Sequence, residues 1–139
     1  MGRYIFLPHT ADVCLSVEAE TLEEIFILAL EGMNRLMNTQ YEKHLLPSPF
    51  LQEKISFTSL DSASLLIDFL SEVLTLSYIH KSIFHTIDEL TIQDSTLIAT
   101  LSGHPIIQIE KEIKAVSYHG ATVSCNKDGL LETTIIFDI

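Results

Sequence analysis

Paired cysteine motifs are missing from this chain. Its two cysteines, Cys14 and Cys125, stand far apart in stretches that read as strand, with no CxxC and no histidine at metal-ligand spacing around them. That excludes a zinc ribbon and a disulfide framework, and it marks both as small, reduced core residues of an intracellular protein. Positive charge is scarce as well: 8 Lys and Arg against 19 Asp and Glu give a formal net charge of −11 with histidine neutral. The densest basic cluster is only Lys111 with Lys114, whereas nucleic-acid binders rely on a basic patch that releases counterions from phosphates. Direct RNA or DNA binding is not expected. No basic leader precedes an apolar segment, no uninterrupted apolar run approaches the roughly 18–20 residues of a membrane span, and Gly2 lacks the later hydroxyl residue of a myristoylation signal. The expectation is a soluble, cytoplasmic protein without a membrane partner. No GxSxG, P-loop, GxGxxG, HExxH, EF-hand loop or deaminase zinc signature occurs, and no period of roughly 20–50 residues repeats. No familiar enzyme or solenoid announces itself.

What is present is a chain of 139 residues with 47% hydrophobic content. A chain of this size buries roughly 68% of its unfolded surface and needs no staples, so residues 1–139 are expected to form one domain. The acidity has two readings. It favours a cation or a basic partner reached by electrostatic steering, or it serves only solubility.

The hydrophobic pattern supplies the architecture. Tyr4 to Leu7 is a short apolar run, and Val13, Leu15, Val17 and Ala19 alternate with smaller or polar residues as in a half-buried strand. Thr21 and Glu24 form a capping-box pair, and Leu22, Ile25, Phe26, Ala29, Leu30, Met33 and Leu36 recur at helical spacing, which predicts a helix over about 22–37. A polar stretch with Pro47 and Pro49 leads to a strand around Lys54 to Thr58. A second helix follows, with Ser59 or Asp61 as N-cap and a broad apolar face from Leu65 to Leu76. Strands are expected over Ser82 to Ile92 and Thr96 to Leu101, with a turn at Asp94-Ser95 and a break at Gly103-His104-Pro105. The stretches EIKAVSYHG, ATVSC and LETTIIFDI complete the set, the last two joined by a turn at Asn126 to Gly129. Two helices among about seven strands predict an α+β domain, with both helices packed on a largely antiparallel or mixed sheet.

Three stretches bear on chemistry. In LPHTADVCLS, Pro8, Thr10 and Asp12 suit a tight turn between strands, while His9 and Asp12 suit a binding site. In the terminal FDI, the Asp138 carboxylate stands beside the α-carboxylate of Ile139, where like charges repel. A strand carried to its last residue normally frays. Holding this pair in place calls for a positive partner, which a hard divalent ion with oxygen ligands would satisfy, with Asp12 as a third oxygen if its turn lies beside the strand. A solvated terminus is the simpler alternative. In KAVSYHG, His119 either orients a ligand or caps a strand end beside Tyr118. His44, His80, His85 and His104 are assigned no role.

The segments PHTAD at 8–12, TLEEIF at 21–26, DSASLLIDFLSEVL at 61–74, EIKAVSYH at 112–119 and a terminal IFDI at 136–139 resemble the archease family, in matching order over almost the whole chain. The resemblance implies an archease-like α+β fold and a protein that is not an enzyme but assists an RtcB-type RNA ligase, which joins RNA ends bearing a 3′-phosphate or 2′,3′-cyclic phosphate to a 5′-hydroxyl in tRNA splicing. The expected effect is guanylylation of the ligase's active-site histidine, multiple turnover and an altered choice of nucleotide. It further implies a metal held by the positions that match Asp12, Asp138 and Ile139, with Ca²⁺ favoured over Mg²⁺ or Mn²⁺. Lys114, His9 and His119 are candidates for supporting the ligands or touching the partner. The chain departs from the family pattern at Cys14, where a glycine or similar small residue is common, and at Gly120-Ala121, where a large apolar residue is more usual. Two other classes of function remain open: a metal-dependent hydrolase using Asp12, Asp138 and His119, and a chaperone-like modulator of an RNA-modifying enzyme. Neither the oligomeric state nor the RNA that is sealed can be read from the sequence.

Overall fold

The capping and periodicity signals begin and end the two long helices where the sequence predicts them. The computed structural model describes residues 2–7, 12–118 and 123–139. Its elements are β1 (Arg3–Leu7), β2 (Val13–Ala19), α1 (Leu22–Met37), α2 (Tyr41–His44), β3 (Leu51–Thr58), α3 (Ser62–His80), β4 (Ser82–Gln93), β5 (Thr96–Pro105), β6 (Ala115–Tyr118), β7 (Ser124–Cys125) and β8 (Leu131–Asp138). Thr21 Oγ1 accepts the Glu24 N–H at 3.2 Å, and the Glu24 carboxylate reaches back to the Glu20 N–H at 3.1 Å. Asp61, rather than Ser59, caps α3 by accepting the Ser64 N–H at 2.8 Å. These contacts hold the Asp61 carboxyl below its ordinary value.

The α+β class is observed, and among the described residues the strands divide into two antiparallel sheets. One has five strands in the order β1-β2-β8-β6, with β7 also pairing β8; the other has the order β3-β5-β4. Helix α1 packs on β2 and β4, and α3 packs on β4 and β6. Between the helices Phe26 meets Phe69 with ring centroids 5.5 Å apart. At Gly32 the backbone of α1 comes so close to β2 that a Cβ would lie 2.6 Å from a Leu15 methyl. By length and composition α3 is apolar enough to cross a membrane. Here it is a core helix, with Leu65, Leu66, Phe69, Leu70 and Val73 buried.

Three local expectations are corrected. Gly103-His104-Pro105 is not a break, because β5 continues through it to Pro105. The glycine serves close approach instead. Phe84 and His85 bulge out of register opposite Gly103, and a Cβ there would sit 2.2 Å from the Ile83 carbonyl oxygen. Of EIKAVSYHG only Ala115–Tyr118 is strand among the described residues. Cys14 is buried, which raises its thiol pKa, but Cys125 is exposed rather than core. The turn at Asp94-Ser95 is as expected, both residues taking positive φ to close the β4–β5 hairpin.

Substituting Gly103→Ala drives a methyl into the β4 backbone, which has no flexible side chain to yield. A loss of roughly 1–3 kcal/mol in denaturant unfolding is expected. A second expectation concerns Arg35, which grips Glu42 across the α1–α2 turn with an Nη1–Oε1 distance of 2.6 Å. The guanidinium lowers the Glu42 carboxyl from its ordinary 4.5 to about 2. Its small stabilising effect is therefore complete above the ordinary value and fades as pH falls from 4.5 through about 2. Thermal unfolding of Glu42→Gln should show a shallower loss of stability across that window.

Candidate cation site

The site is built by the strand next to which each residue stands. Strand β8 lies inside the five-stranded sheet, with Val13↔Phe137 as the last pair toward β2 and Ala115↔Asp138 as the corresponding pair toward β6. Asp12 immediately precedes Val13, and Asp138 immediately follows Phe137. The two aspartates therefore come together at one end of the sheet from opposite ends of the sequence. Alternation sends Thr133, Ile135 and Phe137 into the core, and Asp138 outward into solvent. Asp12 is half-buried. Ile139 packs its side chain against the core, which steadies the backbone beside Asp138.

Lys114 joins the same corner from the β6 side. Its backbone N–H donates to the Asp138 carbonyl at 2.6 Å, and its side chain is exposed. A contact from α3 fixes this segment. The Tyr78 hydroxyl accepts the Ile113 N–H at 2.6 Å and donates to the Ile113 carbonyl at 2.9 Å. Burial is the main cause of the raised Tyr78 phenol pKa. No sequence signal marked this clamp, because a tyrosine in an apolar helix reads as core. Only the packing of α3 on β6 shows what its hydroxyl reaches.

Chemically, the corner offers two carboxylates. Oxygen donors of this kind suit hard cations such as Ca²⁺ and Mg²⁺. Among the described residues no three side chains of His, Cys, Asp or Glu are grouped closely enough to hold an ion. A cation held here therefore needs a donor beyond the two aspartates and the other described side chains of these types. His9 and His119 lie outside the described residues. The histidines given no role are held in local contacts: His44 Nδ1 lies 3.0 Å from Asn38 Oδ1, and the His85 and His104 rings stack with their nearest nitrogens 2.9 Å apart.

The archease protein family model matches residues 4–139. Protein archease of Methanosarcina mazei is 33% identical over 129 residues, covering 84% of this chain and 83% of that relative. In fold, the chain is similar to the solution structure of Methanobacterium thermoautotrophicum protein 1598, with a TM-score of 0.71, 24% identity and 98% of both chains covered. It is also similar to the crystal structure of a Thermotoga maritima archease described as a possible chaperone, with a TM-score of 0.60, 19% identity, and 96% of this chain and 94% of that one covered.

The Tyr78 clamp generates a prediction. Tyr78→Phe leaves the N–H and carbonyl of the buried Ile113 without that partner, which should cost about 1–3 kcal/mol. Amide exchange measured by NMR should accelerate at Ile113 and Lys114 before it does in α1.

Proposed function

The chain belongs to the archease family, and from that we propose that it is a cytoplasmic protein activator of an RtcB-type RNA ligase in tRNA splicing rather than an enzyme. It promotes guanylylation of the ligase's active-site histidine and multiple turnover, and it alters the choice of nucleotide. The carboxylates of Asp12 and Asp138, with the α-carboxylate of Ile139 as third donor, hold a divalent cation, Ca²⁺ before Mg²⁺ or Mn²⁺. When bound, that cation would supply positive charge for drawing in and orienting a triphosphate. The remaining roles belong to this chain's own groups. Lys114, exposed and with its backbone bonded to Asp138, offers an ammonium for the partner, and the paired strands hold the carboxylates in position. Activation then consists of positioning and electrostatic stabilisation, with no covalent step on this protein.

The observation that supports this reading is the β2–β8 register, which brings Asp12 and Asp138 to neighbouring positions although 125 residues separate them between 12 and 138. A second reading, a chaperone-like modulator of a different RNA-modifying enzyme, draws on the description of the Thermotoga neighbour as a possible chaperone. The two differ in whether the corner is needed.

The deciding experiment follows guanylylation of a candidate ligase with and without this protein. Asp138→Ala should reduce activation at least about tenfold, a lower bound taken from the effect of losing even an outer metal-supporting group. Circular dichroism should be unchanged, because Asp138 is exposed. One residue added after Ile139 should do the same. Full activation by the extended protein removes the terminal carboxylate from the mechanism. Activity on RNA by this chain alone would instead favour a hydrolase.

A further inference from the structure

The three-stranded sheet has an open edge that the corner of the other sheet does not use. Strand β3 pairs β5 on one side and, among the described residues, has no strand on the other. The Ser59 N–H donates to the Ser95 carbonyl at 3.0 Å in continuation of the β3–β5 register, so the hydrogen-bonded pairs are those of Ser59, Phe57, Ile55 and Glu53. In an antiparallel ladder the alternate residues turn their backbone groups the other way. The N–H and C=O groups of Lys54, Ser56 and Thr58 therefore point out of the sheet, and none has a hydrogen-bond partner among the described residues.

These groups open onto a groove of about 570 Å³ between β3 and α3. Its floor includes Ile55 and Phe57. Its helix wall presents Asp68 and Glu72 with the hydroxyls of Ser71 and Thr75, and no basic residue. Asp68 is partly committed to the Ser59 hydroxyl at 2.5 Å, and Glu72 has no partner among the described residues. Lys54 also lines the groove, from the strand side where it alternates with buried Ile55, so the acidic character belongs to the helix wall.

We propose that this groove takes an extended segment of a partner protein, which adds as a strand to β3 and turns lysine or arginine side chains toward Asp68 and Glu72. Backbone pairing supplies the attachment, and the acidic wall selects the charge. A second copy of this chain is the poorer occupant, because each copy carries a net charge of −11. The site belongs to the β3-β5-β4 sheet and stands apart from the ligase reading.

The test uses the full chain and two capped hexapeptides, one alternating lysine with valine and one alternating glutamate with valine. The lysine peptide should slow amide exchange at Lys54, Ser56 and Thr58, and the glutamate peptide should not. Glu72→Lys should weaken binding roughly tenfold at low salt. Ser56→Pro should abolish it while the unfolding midpoint stays near that of the parent, because the Ser56 N–H is not part of the β3–β5 ladder. Asp138→Ala should leave peptide binding unchanged. Equal protection by both peptides, or none by either, overturns the proposal. So does a dimer of the free chain that Ser56→Pro dissociates, since a second copy would then occupy the edge.

Discussion

Much of the structure depends on the pairing of β8, the last strand in the sequence, with β2 on one side and with β6 and β7 on the other. A terminal strand usually frays unless it is tied down. Here Ile135 and Phe137 are fully buried, a gain of roughly 1.5–3 kcal/mol for each side chain, and their neighbours on β2, Leu15 and Val17, are buried with them. Helix α1 rests on that surface closely enough that Gly32 has no room for a side chain. The same ladder that seals the core also determines which residues meet at its outer end. Asp12, Asp138 and the backbone of Lys114 share one corner because β8 pairs Phe137 with Val13, a register from which a one-residue slip would turn Thr133, Ile135 and Phe137 out of the core.

Helix α3 links this sheet to the other. One face packs on β4 and on β6, and Tyr78 holds the backbone at Ile113, next to Lys114. Beyond its buried face, α3 supplies Asp68 and Glu72 to a groove beside the edge of β3 that no strand pairs among the described residues. A single core helix therefore supports a charged corner on one sheet and an open edge on the other. Its apolar composition alone would suit a bilayer; its neighbours make it a core helix.

The elements that were legible in the sequence had local causes. Thr21 with Glu24, and Asp61 ahead of an apolar run, mark helix starts because side chains three residues away satisfy the first free N–H groups. Asp94-Ser95 is turn chemistry wherever it occurs between strands. What was misread involved residues whose meaning comes from a distant partner. Gly103 and Pro105 look like punctuation in one dimension, yet Gly103 accommodates the bulge at Phe84 and His85, and Pro105 ends a strand that pairs Ser82. Cys125 reads as core by its apolar character, but β7 is a two-residue strand with both residues exposed. The division of the strands into two sheets left no mark in the pattern, because alternation reports which residues face inward and not which strand lies alongside.

The sequence by itself determined the class of fold, the two long helices and their caps, the acidic character of the surface, and the particular residues, Asp12 and Asp138, that merited attention. Those properties follow from side-chain chemistry and from periods of 3.6 and two, which are local. Only the tertiary structure decided that Asp12 and Asp138 stand at adjoining ends of paired strands, that Tyr78 anchors the segment leading to Lys114, and that β3 keeps an open edge beside an acidic helix. Each of these is a relation between strands or helices distant in sequence. It is selected by how the whole apolar surface can be buried at once, and no stretch of residues carries it alone.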